Sequence, residues 1–217
     1  SRLGNPLPKP LTVLQSGKTI MQQQLDNLTE YFNPDDINIV VGFKKDLIME
    51  NFPDISYIYN QNFDVTNTSK SLLKALRKHR NESVLWLNGD VVFDSAILGE
   101  IKTHIENNNS FVCVNNSAVG EEEVKYNLDE FGFIKNISKK VKHALGEAVG
   151  INFISSNDIR AFISRLEECE NSDYFERGLE LAIEKDKIKV LPHDVSSMRC
   201  MEIDFREDLE NANRLFK

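Results

Sequence analysis

Hydrophobic positions along the chain switch repeatedly between helical spacing and short β-branched runs. In residues 18–31, Ile20, Met21, Leu25 and Leu28 fall on one face, which predicts an amphipathic helix. Short strands follow at 37–41 and 55–59. Residues 68–80 place Leu72, Leu73 and Leu76 on one side and predict a second helix. An apolar strand at 83–87 stops at Asn88-Gly89-Asp90. A helix is predicted at 96–107 and a strand at 111–114. Two further strands, 124–127 and 133–138, flank Asp129-Glu130-Phe131-Gly132, a sequence suited to a hairpin turn. A strand at 150–155, helices at 157–169 and 174–186, short strands at 188–192 and 201–203, and a closing helix at 208–216 complete the pattern.

Strands separated by helices predict an α/β fold, a Rossmann-like mostly parallel sheet with helices on both faces. The hairpin, within about 121–145, reads as a small antiparallel insertion in a single domain spanning 1–217. Ligands of such sheets bind beyond the carboxyl ends of the strands. The polar residues after Leu87, Val149 and Ile203 fall there.

Composition narrows the function classes. The 217 residues carry a net charge of −8, which disfavours nucleic acid as a partner. No apolar run approaches the ~20 residues of a membrane helix, so no membrane insertion is expected. Three scattered cysteines, Cys113, Cys169 and Cys200, predict neither a disulfide framework nor a zinc site, and point to the cytoplasm. Cys113, inside an apolar run, reads as a core thiol, and Trp86 as core packing.

Three constellations carry candidate chemistry. Asp90 leaves a strand at its carboxyl end, and Gly89 beside it lets a ligand approach the backbone. In Glu202-Ile203-Asp204 the two carboxylates share a strand face, so Asp204 is able to join Asp90 around an Mg2+ ion. Asp208, just beyond, reads as a helix cap. At the amino end, Pro8 and Pro10 stiffen the backbone around Lys9, and Arg2 precedes it. A rigid loop with one arginine and one lysine suits a triphosphate.

Ser1-Arg2-Leu3 with Pro8-Lys9-Pro10-Leu11 resembles the signature loop of the sugar-phosphate nucleotidyltransferase superfamily. Gly17-Lys18-Thr19-Ile20 is similar to its next segment. Thr66-Asn67-Thr68-Ser69-Lys70-Ser71-Leu72 resembles the Asn-rich motif of the phosphocholine cytidylyltransferase-like branch. Leu87-Asn88-Gly89-Asp90 looks like the first metal motif, and Gly146-Glu147-Ala148-Val149-Gly150-Ile151 like the substrate-side Gly-Glu motif. Glu202-Ile203-Asp204 with Asp208-Leu209-Glu210 looks like the second metal motif and terminal helix. The family's first strand and glycine-rich loop precede its Ser-Arg pair, and the sequence opens at Ser1.

The resemblance implies a cytoplasmic enzyme that joins an NTP, CTP by preference, to phosphocholine, 2-aminoethylphosphonate or a related acceptor, releasing pyrophosphate. Asp90 and Asp204 are expected to hold Mg2+, Lys9 to meet the α-phosphate and Arg2 the β- and γ-phosphates. Asn67, Ser69, Gly89, Glu147, Lys125 and Lys139 are expected nucleotide or acceptor contacts. For Asn67 and Ser69 helix capping competes with this role, and for Lys125 and Lys139 a solvated face does. A homodimer is compatible with all of this. Three alternatives stay open: a sugar-1-phosphate or inositol-phosphate nucleotidyltransferase, an inactive nucleotide-binding domain, and a glycosyltransferase.

Overall fold

The computed structural model describes residues 6–117, 119–120 and 123–216. Among the described residues the first element is a 3₁₀ turn, Lys9–Leu11, followed by α1 (Ile20–Thr29), whose start is capped by the Thr19 side chain. Next come β1 (Asn38–Val41), α2 (Lys45–Asn51), β2 (Ser56–Tyr59) and α3 (Thr68–Leu76). Then follow β3 (Val84–Leu87), β4 (Val91–Phe93), α4 (Ala96–Glu106) and β5 (Phe111–Asn115). The hairpin β6 (Lys125–Leu128) and β7 (Ile134–Ser138) leads into the long β8 (Gly146–Ile154). After α5 (Ile159–Glu168) and α6 (Phe175–Leu181) come β9 (Leu191–Asp194), β10 (Cys200–Glu202) and α7 (Arg206–Leu215).

The main sheet runs β7-β6-β8-β5-β9, with β3 also paired to β8. Its two faces are written in the alternation of the strands. Leu85, Leu87, Phe111, Cys113, Val149, Ile151 and Phe153 pack toward α4, against Ile97, Leu98 and Ile101. Their neighbours Val84, Trp86, Val112, Val114, Ala148 and Ile154 pack on the opposite face, against α3, α5 and α6. Trp86 stacks on Phe162 at 5.6 Å and meets Phe175 edge-on at 5.5 Å, and Cys113 is fully buried, as core residues.

The α/β class, helices on both faces and the antiparallel hairpin match the expectation. The sheet, however, is mixed rather than mostly parallel. β1–β2 and β5–β9 are parallel pairs, whereas β8 is antiparallel to β3, β5 and β6. Among the described residues no helix lies between β5 and β8, and a parallel return would need a crossover. The strands that are separated by helices, β3, β5 and β9, do share one direction.

Two elements escape the periodicity. α2 is seven residues long with one buried side chain, Ile48, too short for a helical stripe to show. β4 is a three-residue strand with all three residues buried, indistinguishable by pattern from any short apolar run. The helix expected over 174–186 changes character midway: α6 passes at Leu181 into a five-residue π segment, Ala182–Asp186.

Candidate active site

The site is assembled by β4 and β10. They pair antiparallel, with Glu202 opposite Val91 and Cys200 opposite Phe93. Continued one residue past the paired strands, that register sets Ile203 against Asp90, and the Ile203 N–H donates to the Asp90 carbonyl at 2.9 Å. Asp90 enters β4 while Asp204 leaves β10, so an antiparallel pair brings together two carboxylates 114 positions apart. Ile203 between them is fully buried beside Leu14, Ile20 and Val92, which turns Asp204 outward.

Lys9 completes the group. Its Nζ donates to Asp90 Oδ2 at 3.0 Å and to Asp204 Oδ1. The three side chains are 23%, 22% and 30% exposed, half-sheltered yet open to a small ligand. Burial works to lower the Lys9 pKa, but the Asp204 hydrogen bond and the Asp90 charge outweigh it and hold the ammonium above the ordinary lysine range. The proline-flanked loop explains the placement. Leu11 N–H and Thr12 N–H donate to the carbonyls of Pro8 and Lys9, and Leu11 is buried as an anchor. Pro10 lies over Gly89: a Cβ added there would stand 3.2 Å from the Pro10 ring. Gly89 therefore admits the amino-terminal loop close to the backbone beside Asp90.

A second layer fixes the turn that carries Asp90. Gln24, buried on α1, donates through Nε2 to the carbonyls of Asn88 and Val91, both at 2.8 Å. Asn88 Nδ2 donates to Glu202 Oε1 at 2.8 Å, and Asn88 N–H to the Gly150 carbonyl at 2.9 Å. Gly150 has φ +75°, and a Cβ there would meet Val91, Glu202 and Asn88 at 2.7–2.9 Å. Burial, reinforced by the charge of Asp90 and opposed by the Asn88 hydrogen bond, pushes Glu202 up to about 8. Glu123 is also raised, by burial first and then by the charges of Glu147 and Asp204.

Sequence reasoning missed Gln24, Asn88 and Glu123 as contributors. Gln24 does leave a trace, being a polar residue on the face made by Ile20, Met21, Leu25 and Leu28. Asp208 is the helix cap that its position predicts, accepting from the N–H groups of Asp204 and Phe205 at 3.0 and 2.7 Å.

Other expected contacts take different places. Asn67 caps α3, its Oδ1 accepting from Thr68 N–H at 2.8 Å and its Nδ2 donating to the Ser172 carbonyl. Ser69 is fully buried, and its N–H donates to the Asp173 carbonyl. The N–H groups of Asn67, Thr68 and Ser69, expected to favour an anion, are thus taken up within the protein. Glu147 accepts from Gly120 N–H at 3.0 Å and stands opposite Lys125 across the β6–β8 pair. Lys139 is exposed, its Nζ 5.6 Å from the centre of the Tyr174 ring. Arg2 lies outside the described residues. Among the described residues, no group of three or more His, Cys, Asp or Glu side chains is arranged for a metal, and no helix is long and apolar enough to cross a membrane.

No family model matches the chain. A 174-residue stretch, 79% of the chain, is 29% identical to the bifunctional protein GlmU of Methanococcus maripaludis, and a 91-residue stretch, 42% of the chain, is 32% identical to GlmU of Francisella philomiragia subsp. philomiragia. These matches span 39% and 20% of those proteins' own lengths. Among solved structures, the CTP:phosphocholine cytidylyltransferase LicC of Streptococcus pneumoniae superposes with TM-score 0.75 at 16% identity, covering 100% of this chain and 94% of that one. The inositol-1-phosphate CTP transferase of T. maritima gives 0.78 at 15%, covering 99% and 89%. A UDP-glucose pyrophosphorylase complexed with UDP-glucose gives 0.72 at 12%, covering 97% and 90%. The motifs at residues 8–11, 87–90 and 202–204 thus sit in the fold they point to: the chain has the Rossmann-like fold of the sugar-phosphate nucleotidyltransferases.

Proposed function

We propose that the chain is a nucleotidyltransferase that couples CTP to a small phosphate- or phosphonate-bearing acceptor and releases pyrophosphate. The observation that carries this is the convergence of Lys9, Asp90 and Asp204 on one half-sheltered point. The Lys9 ammonium acts there as a stand-in cation, showing that both carboxylates reach a single positive centre. Their donor set is oxygen alone, which suits Mg2+, and two carboxylates leave room for water and phosphate oxygens in its shell. Bound by Asp90 and Asp204, Mg2+ would neutralise phosphate charge and orient the reacting oxygens.

In the reaction an oxygen of the acceptor phosphate or phosphonate attacks the α-phosphorus of the nucleotide. One P–O bond forms, the bond to the β-phosphate bridge breaks, and pyrophosphate leaves with the electron pair. An ionised acceptor oxygen has no proton to lose, so no general base is required. The chain's own task is to hold two anions together and screen their repulsion, worth up to ~7–11 kcal/mol from positioning in favourable cases. Lys9 supplies positive charge at the α-phosphate, and Arg2 is assigned to the β- and γ-phosphates from its motif. Glu147 and Lys125, opposite each other on β8 and β6, are assigned to the acceptor side. Lys139 is a more distant acceptor candidate, beside Tyr174.

CTP is the nucleotide in the names of both the phosphocholine and the inositol-1-phosphate neighbours, which supports it here. Phosphocholine or 2-aminoethylphosphonate is the acceptor class we favour, from the Asn-rich motif. An inositol phosphate or sugar 1-phosphate is the second reading, supported by the T. maritima and UDP-glucose pyrophosphorylase neighbours. The cytoplasm is the compartment this chemistry implies. The test is a screen of four NTPs against phosphocholine, 2-aminoethylphosphonate, inositol 1-phosphate and sugar 1-phosphates with Mg2+, read by pyrophosphate release. Release with CTP and one acceptor supports the proposal. Nucleotide binding without turnover would assign an inactive binding domain, and release of a nucleoside diphosphate from a sugar nucleotide a glycosyltransferase.

A further inference from the structure

The Lys9 ammonium sits where Asp90 and Asp204 both reach it. A divalent cation held by the same two carboxylates cannot share that position with the ammonium, since the two positive charges would repel at contact distance. We propose that Lys9 is an exchangeable counter-ion: it holds the two carboxylates together in the metal-free protein, and a divalent cation ejects it toward the nucleotide phosphates.

Three features of the structure make the exchange feasible without refolding. Pro8 and Pro10 restrict the backbone on either side, and the Lys9 carbonyl is tied to Thr12 N–H at 2.9 Å. The movement is therefore confined to the four-carbon stem, whose ammonium is a compact, rotatable donor. The side chain is 23% exposed, so its head has solvent to enter. The backbone that carries both carboxylates is held independently of Lys9: the Asp90 carbonyl accepts from Ile203 N–H, and the Asp204 N–H donates to Asp208. These two bonds do not depend on the ammonium. Without a counter-ion two carboxylates at this separation repel, so the lysine also prepares the pair for the metal.

This proposal rests on the nucleotidyltransferase reading for what receives the ejected lysine, but not for the exchange itself, and the experiment separates the two. Mn2+ binding to the full chain is measured by EPR titration without nucleotide, in the wild type, Lys9→Met and Lys9→Arg. Lys9→Met should bind Mn2+ about tenfold or more tightly than wild type, the scale of one unit charge removed from a half-sheltered site. Lys9→Arg keeps the charge and should stay near wild type. With Mn2+ saturating, the order reverses for CTP: Lys9→Met should bind CTP about tenfold more weakly, having lost a charge-assisted contact. Unchanged or weaker Mn2+ binding in Lys9→Met overturns the exchange. If the Mn2+ pattern holds and CTP binds to no form, the exchange stands and the nucleotidyltransferase reading falls. A second measurement needs no variant. The rate of reductive methylation of Lys9 in the wild type should rise when Mg2+ is added and fall again with Mg2+ and CTP together. A rate indifferent to Mg2+ alone would also end the proposal.

Discussion

Glu176, in the first turn of α6, gives a stability prediction whose sign and size follow from its surroundings. The side chain is buried, and its Oε2 accepts no hydrogen bond among the described residues. Burial raises its pKa from 4.5 to about 7, with its own backbone N–H and Lys139 pulling the other way and Glu180 adding to the rise. The folded state thus prefers the protonated acid more than the unfolded chain does. Its contribution is fully present below pH 4.5 and is lost as the pH rises through about 7, because only the unfolded chain ionises freely in that window. The interval from 4.5 to about 7 corresponds to roughly 3 kcal/mol. Glu176→Gln keeps the shape and removes the ionisation. In metal-free buffer the variant and the wild type should have similar urea midpoints at pH 5. At pH 8 the variant should be more stable by about 2–3 kcal/mol. A difference that does not change between pH 5 and pH 8, or a variant less stable at pH 8, would refute the assignment of a carboxyl group held protonated by burial.

Four further substitutions probe the site. Asp90→Asn and Lys9→Ala should each lower pyrophosphate release at least about a hundredfold with an unchanged circular dichroism spectrum, because the first removes a carboxylate charge assigned to Mg2+ and the second the positive charge assigned to the α-phosphate. Wild-type rates in either would dissolve the site. Gly150→Ala should lower the urea-derived stability by about 2–3 kcal/mol, since the residue is at φ +75° and a Cβ there would meet Val91, Glu202 and Asn88 at 2.7–2.9 Å. Gln24→Met leaves the carbonyls of Asn88 and Val91 without their shared donor. It should cost about 1–3 kcal/mol and raise the Mg2+ concentration for half-maximal rate several-fold, separating it from a purely structural substitution.

How much of this was legible before folding depends on the range of the interaction concerned. Helix faces and strand runs are local, and Leu72, Leu73 and Leu76 or Phe111 and Cys113 announce their burial through spacing alone. The hairpin is also local: Asp129 accepts from the N–H groups of Phe131 and Phe133, and Gly132 takes φ +85°. The direction of β8 was not legible, because its apolar residues read the same in either orientation. The absence of a helix between β5 and β8 was the available clue.

The candidate-site group is the opposite case, because its parts come from positions 9, 90 and 204. Spacing cannot link residues so far apart. Their association was inferred from motif order, and the physical reason appears only in the fold. That reason is β4, a three-residue strand with no pattern of its own, which pairs with β10 in the register that sets Asp90 beside Ile203. The turn before β4 is then held from three directions, by Gln24 of α1, Glu202 of β10 and the Gly150 carbonyl of β8. Each of these supports has a polar atom or a glycine where the local pattern calls for an apolar side chain or leaves the choice free. Residues that break their own element's pattern at this turn, Gln24 on an apolar helix face and Gly150 inside a long strand, do so because the break is what positions Asp90.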